Sequence, residues 1–133
     1  MIYTGSCLCG EVSFEINGEF ESFYLCHCEY CQKDTGSVYA SNLFSATAKL
    51  IWRSGENQVK TYQLPRTQHI KSFCSNCGSA VPNIQMNNTL VVVPAGCLNQ
   101  DITIKPTAHI YKSSEAAWAK NLDKVQSYDQ LPE

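Results

Sequence analysis

Cys7-Leu8-Cys9 and Cys74-Ser75-Asn76-Cys77-Gly78 are the two stretches of the sequence that decide the fold. Two cysteines separated by one residue on an extended strand point to the same face, while the residue between them points away. A C-x-x-C turn also brings two sulfurs together, and a glycine after it permits the left-handed backbone that such turns often need. The two pairs would supply the four thiolates of a tetrahedral structural zinc site.

A third cluster, Cys26-His27-Cys28-Glu29-Tyr30-Cys31, lies between these pairs and offers three cysteines. Three protein ligands and one vacant position are expected of a reactive zinc, because the vacancy accepts water or a substrate atom. His27 alternates with two of the cysteines, so we expect it on the opposite face, packed or partly exposed. The cluster therefore predicts a second, open zinc site.

Spacing alone leaves another division of the sulfurs open. An ordinary zinc ribbon would use a C-x-x-C pair of pairs, namely Cys28, Cys31, Cys74 and Cys77. The other clustered cysteines would then have a different role. Cys97 stands alone after Ala95-Gly96, and a lone cysteine of this kind is more often a small buried hydrophobe than a ligand.

Composition and charge narrow the class of protein. The 133 residues, 44% apolar and 17% charged, predict one globular domain spanning residues 1–133. A net charge of -2 gives no basic field for nucleic acid, and no apolar run is long enough to cross a membrane. We expect a cytoplasmic location, where thiols stay reduced and eight cysteines, seven of them clustered, indicate metal and not disulfides.

Alternating apolar residues and turn signals predict a mainly β fold, an all-β sandwich or a folded-over sheet. The Asn17-Gly18 pair is typical of a tight hairpin turn and predicts that the strands on either side of it pair with each other. Only residues 115–122 have a helical pattern. The predicted strands are 12–16, 19–25, 38–44, 49–52, 58–64, 69–73 and 89–94.

The three clusters and several shorter segments occur in a specific order along the chain. They are residues 5–12, 26–37, 54–56, 73–79, 95–98 and 109–111, together with Trp118. This ordered set resembles the family of glutathione-dependent formaldehyde-activating enzymes and centromere protein V, and it covers nearly the whole chain. Cys97 departs from the family pattern, which usually has Ser or Thr there.

The resemblance implies a β-tent fold of short antiparallel sheets held together by a four-cysteine zinc site. It assigns Cys7, Cys9, Cys74 and Cys77 to the structural zinc. It assigns Cys26, Cys28 and Cys31 to the reactive zinc and therefore to catalysis. The implied activity is that of a carbon-sulfur lyase or thiol-aldehyde adduct synthase, the reversible condensation of glutathione with formaldehyde to S-(hydroxymethyl)glutathione.

An open zinc bound by three thiolates carries a net charge of -1 with its ligands, so it suits a substrate thiol better than water activation. The partners implied are a small thiol such as glutathione and a small aldehyde. Lys33, Ser37 and the backbone amides around Gly36 are the nearest candidates in sequence for stabilising the developing alkoxide. The other reading is that Lys33 is solvated and that residues 35–37 form the turn out of the cluster.

Two other functions compete with the enzyme. In a protein-binding module, both zinc ions would be structural and the β-tent would present a surface to another protein. In a thiol or zinc sensor, the incompletely ligated thiolate cluster would be a target of oxidation. A vacant fourth position favours the enzyme or the sensor, whereas a fourth protein ligand would favour the module.

Overall fold

Short segments with alternating burial form the strands of the computed structural model, which describes residues 1–132. In each of the first three strands, the buried residues fall at every second position. The strands are β1 Ile2–Ser6, β2 Ser13–Asn17, β3 Ser22–Cys26, β4 Ala40–Ser45, β5 Lys49–Ser54, β6 Val59–Gln63, β7 Ile70–Cys74, β8 Asn83–Gln85, β9 Leu90–Pro94 and β10 Ala108–Ile110. The predicted mainly β fold is confirmed.

The strands form three sheets. One has the order β1-β2-β5, the second has the order β10-β3-β4-β9-β8, and the third is the β6-β7 hairpin. All pairs are antiparallel except β10 with β3, which run parallel. The expectation of antiparallel sheets is therefore wrong at this one edge, where the chain returns to β3 by a long connection.

Two hydrophobic cores hold the sheets together. The larger core joins the three-stranded and five-stranded sheets and contains Tyr3, Phe14, Ile16, Phe20, Phe23, Leu25, Leu43, Ala48, Val91 and Val93. The smaller core consists of Cys7, Val12, Cys74 and Val81. Since Trp52 packs against both, the cysteine-containing core continues directly from the main one.

A short helix, α1 (Glu29–Thr35), follows β3 and was not expected from the sequence. The Cys28 sulfur accepts a hydrogen bond from the backbone amide of Cys31 at 3.3 Å, so Cys28 acts as the N-cap. Gly36 ends the helix in the left-handed conformation, with φ of 67°. Cysteine is not among the usual N-cap residues, which is why the start of this helix carries no standard sequence signal.

Two predicted elements are wrong. β2 does not form a hairpin with β3: it pairs with β1 and β5, and the chain crosses between the two sheets after Asn17-Gly18. Residues 115–122 do not form an α-helix but contain the 3-10 turn Ala117–Ala119, and Asn121 adopts φ of 60° before a second turn begins. A left-handed residue cannot continue a right-handed helix.

The predicted strands form with bounds shifted by at most three residues, and β1, β8 and β10 were not predicted. Within residues 1–132, every helix is too short or too polar to pass through a lipid bilayer.

The close approach of β1 to the 3-10 turn Ala95–Cys97 makes a specific prediction at Gly5. A Cβ at Gly5 would collide with the main-chain oxygen of Cys97 and the ring of Phe14, whereas a Cβ at Gly96 would meet nothing within 4 Å. Gly5→Ala should therefore lower the free energy of unfolding by about 1–3 kcal/mol. Gly96→Ala, the matched control, should leave it unchanged or raise it by less than about 1 kcal/mol.

Urea unfolding of both variants, at equal metal content, measures this difference. Equal stability of the two variants would contradict the close packing of β1 against Cys97.

Candidate metal and thiol site

Four sulfurs from the two ends of the small core meet at one point. Those of Cys7, Cys9, Cys74 and Cys77 all lie within 4.8 Å of one another. The Cys7 and Cys9 sulfurs are 3.6 Å apart, and those of Cys9 and Cys74 are 3.9 Å apart. We call this group the four-cysteine cluster; its sulfurs are close enough to hold one metal ion.

Two tight turns build the four-cysteine cluster. The first follows β1, where the amide of Cys7 donates to the Val12 oxygen at 3.0 Å. The second follows β7, where the amide of Gly78 donates to the Cys74 oxygen at 2.8 Å, and Gly78 has φ of 77°. The expected left-handed glycine is therefore present.

The extended strand expected at Cys7-Leu8-Cys9 does not form. β1 ends at Ser6, and the two cysteines lie in the turn, with Leu8 pointing into solvent. The buried Cys7 sulfur accepts a hydrogen bond from the backbone amide of Val12 at 3.3 Å. The turn therefore directs both sulfurs inward without an extended backbone.

A second group contains Cys26, Cys28 and Cys31, whose sulfurs also lie within 4.8 Å of one another. Cys26 is the last residue of β3, Cys28 caps α1, and Cys31 is on the first turn of the helix. We call this group the three-cysteine cluster. The ribbon set of Cys28 and Cys31 with the C-x-x-C pair after β7 is not one of the groups that the structure brings together among residues 1–132.

The acidities of the four-cysteine cluster differ because its sulfurs are close together. Hydrogen bonds from the backbone amides of Cys9 and Ser79 lower the pKa of Cys77 to about 6. At Cys74 an amide hydrogen bond from Cys77 lowers the pKa, but burial and the neighbouring thiols raise it to about 11. Adjacent thiolates repel one another, so a cation is needed before all four can ionise. The four sulfur donors fit a zinc ion, whose positive charge would offset the negative charge of the thiolates.

The pKa values of the thiols in the three-cysteine cluster also differ from one another. Burial is the main cause of the raised pKa of Cys26 and Cys31. Burial also acts on Cys28, but hydrogen bonds from the amide of Cys31 and from neighbouring thiols outweigh it and lower the Cys28 pKa. This set of soft donors also fits a thiophilic metal.

His27 follows β3, is packed as expected, and is not grouped with the sulfurs of the three-cysteine cluster. It is 2% exposed, and its Nε2 lies 2.8 Å from Nδ1 of His109 on β10. Tyr39 packs edge-on against both imidazoles. Burial, followed by the nearby His109 and Lys112, lowers the pKa of His27. The pairing with His109 could not be found from local sequence, because 82 residues separate the two.

Cys97 belongs to neither cluster. It is partly buried against the main core, and its thiol donates to the Pro94 carbonyl oxygen at 3.0 Å. Burial raises the Cys97 pKa to about 12. The thiol is therefore protonated at neutral pH, in agreement with the expected small hydrophobic role.

Lys33, Gly36 and Ser37 line a shallow cleft with Trp118, whereas Cys31 lines a different one. The amide of Ser37 donates to the Thr35 hydroxyl at 3.2 Å, so this segment forms the turn out of the helix. The structure does not place these three residues in the cleft that Cys31 lines.

The chain matches a family model over residues 2–114, and the model is described as glutathione-dependent formaldehyde-activating enzyme. A protein of Halomonas elongata, named provisionally for the same activity, is 29% identical over 131 residues, covering 90% of this chain and 81% of its own. A crystal structure of a Rhodobacter sphaeroides protein has a TM-score of 0.59 and 20% identity, and covers 80% of this chain and 98% of that one. Its likeness bears on the fold alone.

The histidine pair makes a prediction about stability. The Nδ1 atom of His27 is buried and has no hydrogen-bond partner among residues 1–132, so His109 supplies the ring's one hydrogen bond there. His109→Ala should lower the free energy of unfolding by about 1–3 kcal/mol, because it leaves the whole imidazole unpaired.

A double-mutant cycle with His27→Ala, followed by urea unfolding, checks the cause. A coupling energy of about 0.5–3 kcal/mol is expected for two residues in contact. Additive effects of the two substitutions would mean that the pair contributes no interaction of its own.

Proposed function

Because the chain belongs to the glutathione-dependent formaldehyde-activating enzyme family, we propose that it is a zinc-dependent carbon-sulfur lyase that reversibly joins a small thiol to a small aldehyde. Glutathione and formaldehyde are the proposed substrates, and S-(hydroxymethyl)glutathione is the product. The family description supports this pair, and the name of the Halomonas elongata relative agrees with it.

The observation that carries the proposal is the number of sulfurs in the three-cysteine cluster. Cys26, Cys28 and Cys31 lie together, and no fourth Cys, His, Asp or Glu ligand joins them in the described part of the chain. Three protein ligands leave a tetrahedral metal with one position for a substrate atom. In this proposal a substrate thiol takes that position.

The ligand set also supports a thiol as the substrate. When bound, the zinc ion would keep the substrate sulfur as a nucleophilic thiolate near neutral pH. Cys26, Cys28 and Cys31 supply only sulfur and, as thiolates, carry three negative charges against the two positive charges of the ion. Such a shell disfavours activation of water and suits a soft, sulfur-containing substrate.

The four-cysteine cluster has a different role in this proposal. Its sulfurs come from two turns more than sixty residues apart, and Cys7 and Cys74 are part of the small core. A closed set of four ligands is typical of structural zinc. We therefore assign Cys7, Cys9, Cys74 and Cys77 to a zinc ion that ties β1 to β7.

Replacing a ligand of the four-cysteine cluster should prevent folding. Structural zinc contributes on the order of 10 kcal/mol, which is comparable with the stability of about 5–15 kcal/mol of a whole domain. Cys74→Ser should therefore fail to accumulate as folded protein. Cys97→Ser is the matched control, since this cysteine belongs to neither cluster.

Soluble yield, circular dichroism and zinc content of the two variants are the measurements. A Cys74→Ser protein with a native thermal transition and full zinc content would show that the four-cysteine assignment is wrong.

The activity is tested through the open position. With cobalt in place of zinc, glutathione should change the thiolate-to-metal absorption, whereas S-methylglutathione should not, because it has no thiol to ionise. With the protein present, formaldehyde should then be consumed faster than in its uncatalysed reaction with glutathione. Cys31→Ser should fold, lose metal from the three-cysteine cluster and abolish the excess rate, because this cluster is local in sequence.

The uncatalysed control is essential, since glutathione and formaldehyde combine spontaneously. A cobalt spectrum that responds to no thiol, together with no excess rate, would contradict the enzyme and favour the protein-binding module.

A further inference from the structure

The proposed reaction needs a group that moves a proton, and the cavity beside Cys31 contains one. A cavity of about 100 Å³ between α1 and strands β4, β7, β8 and β9 is lined in part by Cys31, Asp34, His69 and Lys71. Cys31 is the cysteine of the three-cysteine cluster that faces this space. A substrate in the cavity could therefore touch His69 and lie beside the cluster at the same time.

His69 and Asp34 form an oriented pair. The Nε2 atom of His69 lies 2.7 Å from Oδ2 of Asp34, and their side chains are 20% and 16% exposed. A carboxylate only accepts hydrogen bonds, so Nε2 carries the hydrogen. In the neutral imidazole Nδ1 is then the basic nitrogen. This is the arrangement in which a carboxylate fixes the tautomer and orientation of a catalytic histidine.

The carboxylate is itself held in place. Lys71 donates from Nζ to Oδ1 of Asp34 at 2.9 Å and to the main-chain oxygen of the same residue at 2.8 Å. Asp34 also follows Cys31 by three residues on α1, so the two lie on the same side of the helix. One turn of α1 therefore fixes the position of the His69–Asp34 pair relative to the three-cysteine cluster.

A second cleft gives room for the rest of a thiol substrate. It shares Asp34, His69 and Lys71 with the cavity and adds Tyr30, Lys33, Tyr62 and Leu64. The Tyr30 ring lies 6.0 Å from the His69 ring, between centroids. His69 thus lies where the cavity beside Cys31 meets a more apolar and more open cleft.

We propose that His69, oriented by Asp34, is the residue that transfers the proton in thiol addition to the aldehyde. This inference rests on the proposed function. Nδ1 accepts the proton that the substrate S–H loses on becoming the thiolate, and the thiolate sulfur then forms a bond to the carbonyl carbon as the C=O π bond breaks. The same proton then passes from Nδ1 to the new alkoxide oxygen. The sum is R–SH + CH₂O → R–S–CH₂OH, with no change in oxidation state and no further reactant.

Asp34 is a positioning residue in this step. The imidazolium formed at His69 lies against the carboxylate, where a charge-assisted hydrogen bond stabilises it. Without the carboxylate the ring could take the other tautomer or another orientation. Lys71 acts one step further away, by holding Asp34.

The experiment compares His69→Ala with the unmodified protein, both loaded with zinc, in consumption of formaldehyde and glutathione above the spontaneous rate. Loss of a general acid–base typically lowers the rate by about 10²–10⁴-fold, and we expect a kcat decrease in that range with little change in the KM for glutathione. Added imidazole should raise the kcat of His69→Ala and should not raise that of the unmodified protein.

Asp34→Asn is the second variant. It should fold, keep its zinc and lose at least about tenfold in kcat, because the amide no longer fixes the tautomer. Lys60→Ala is the matched control, since Lys60 is an exposed residue of the β6-β7 hairpin and lies opposite Phe73. It should retain the unmodified kcat.

The outcomes separate this inference from the proposed function. An unmodified protein with no excess rate overturns both. An active protein whose His69→Ala variant keeps its kcat, or loses a kcat that imidazole does not restore, overturns the proton-transfer role alone. Loss of zinc or folding in His69→Ala, combined with an unchanged kcat in folded Asp34→Asn, overturns it as well.

Discussion

The meeting of four sulfurs from two distant turns is the constraint on which the rest of this structure depends. Cys7 and Cys9 follow β1, and Cys74 and Cys77 begin at the end of β7, so their contact brings the first strand to the β6-β7 hairpin. The small core is built around the two buried members of this group. A core this small cannot account for that contact by apolar burial alone, which is the physical argument for a metal ion there.

The three-cysteine cluster depends on a different and more local arrangement. β3 carries Cys26 out of the main core, the chain bends at His27, and α1 begins with Cys28 as its cap. The buried contact between His27 and His109 holds this bend against β10. The cysteines that we assign to catalysis therefore lie at the end of β3 and the start of α1, and their loss would remove no link between distant strands.

Much of the fold follows from the sequence, and the failures have physical causes. Alternation of apolar residues predicts most strands, because each sheet buries one face. The pattern in residues 115–122 resembles a helix, but Trp118 remains 62% exposed and Asn121 is left-handed, so no packing supports one. β10 and the partnership of His27 with His109 depend on a parallel pairing across more than eighty residues, which no local pattern encodes.

The catalytic groups predicted from the sequence lie close to the cysteines along the chain. Folding brings different side chains to the cleft that Cys31 lines. Ser37 lines another cleft, and Lys33 lies between that cleft and the one that His69 lines. His69, the residue before β7, shares a cavity with Cys31. β7 carries Lys71 and ends in Cys74, so the strand anchored by the four-cysteine cluster holds Asp34 on α1. The proposed reaction needs both a vacant metal position and an oriented base, and the two cysteine clusters divide these requirements between them. In our proposal, the four-cysteine cluster fixes β7, and β7 holds the base beside the three-cysteine cluster without occupying the fourth ligand position.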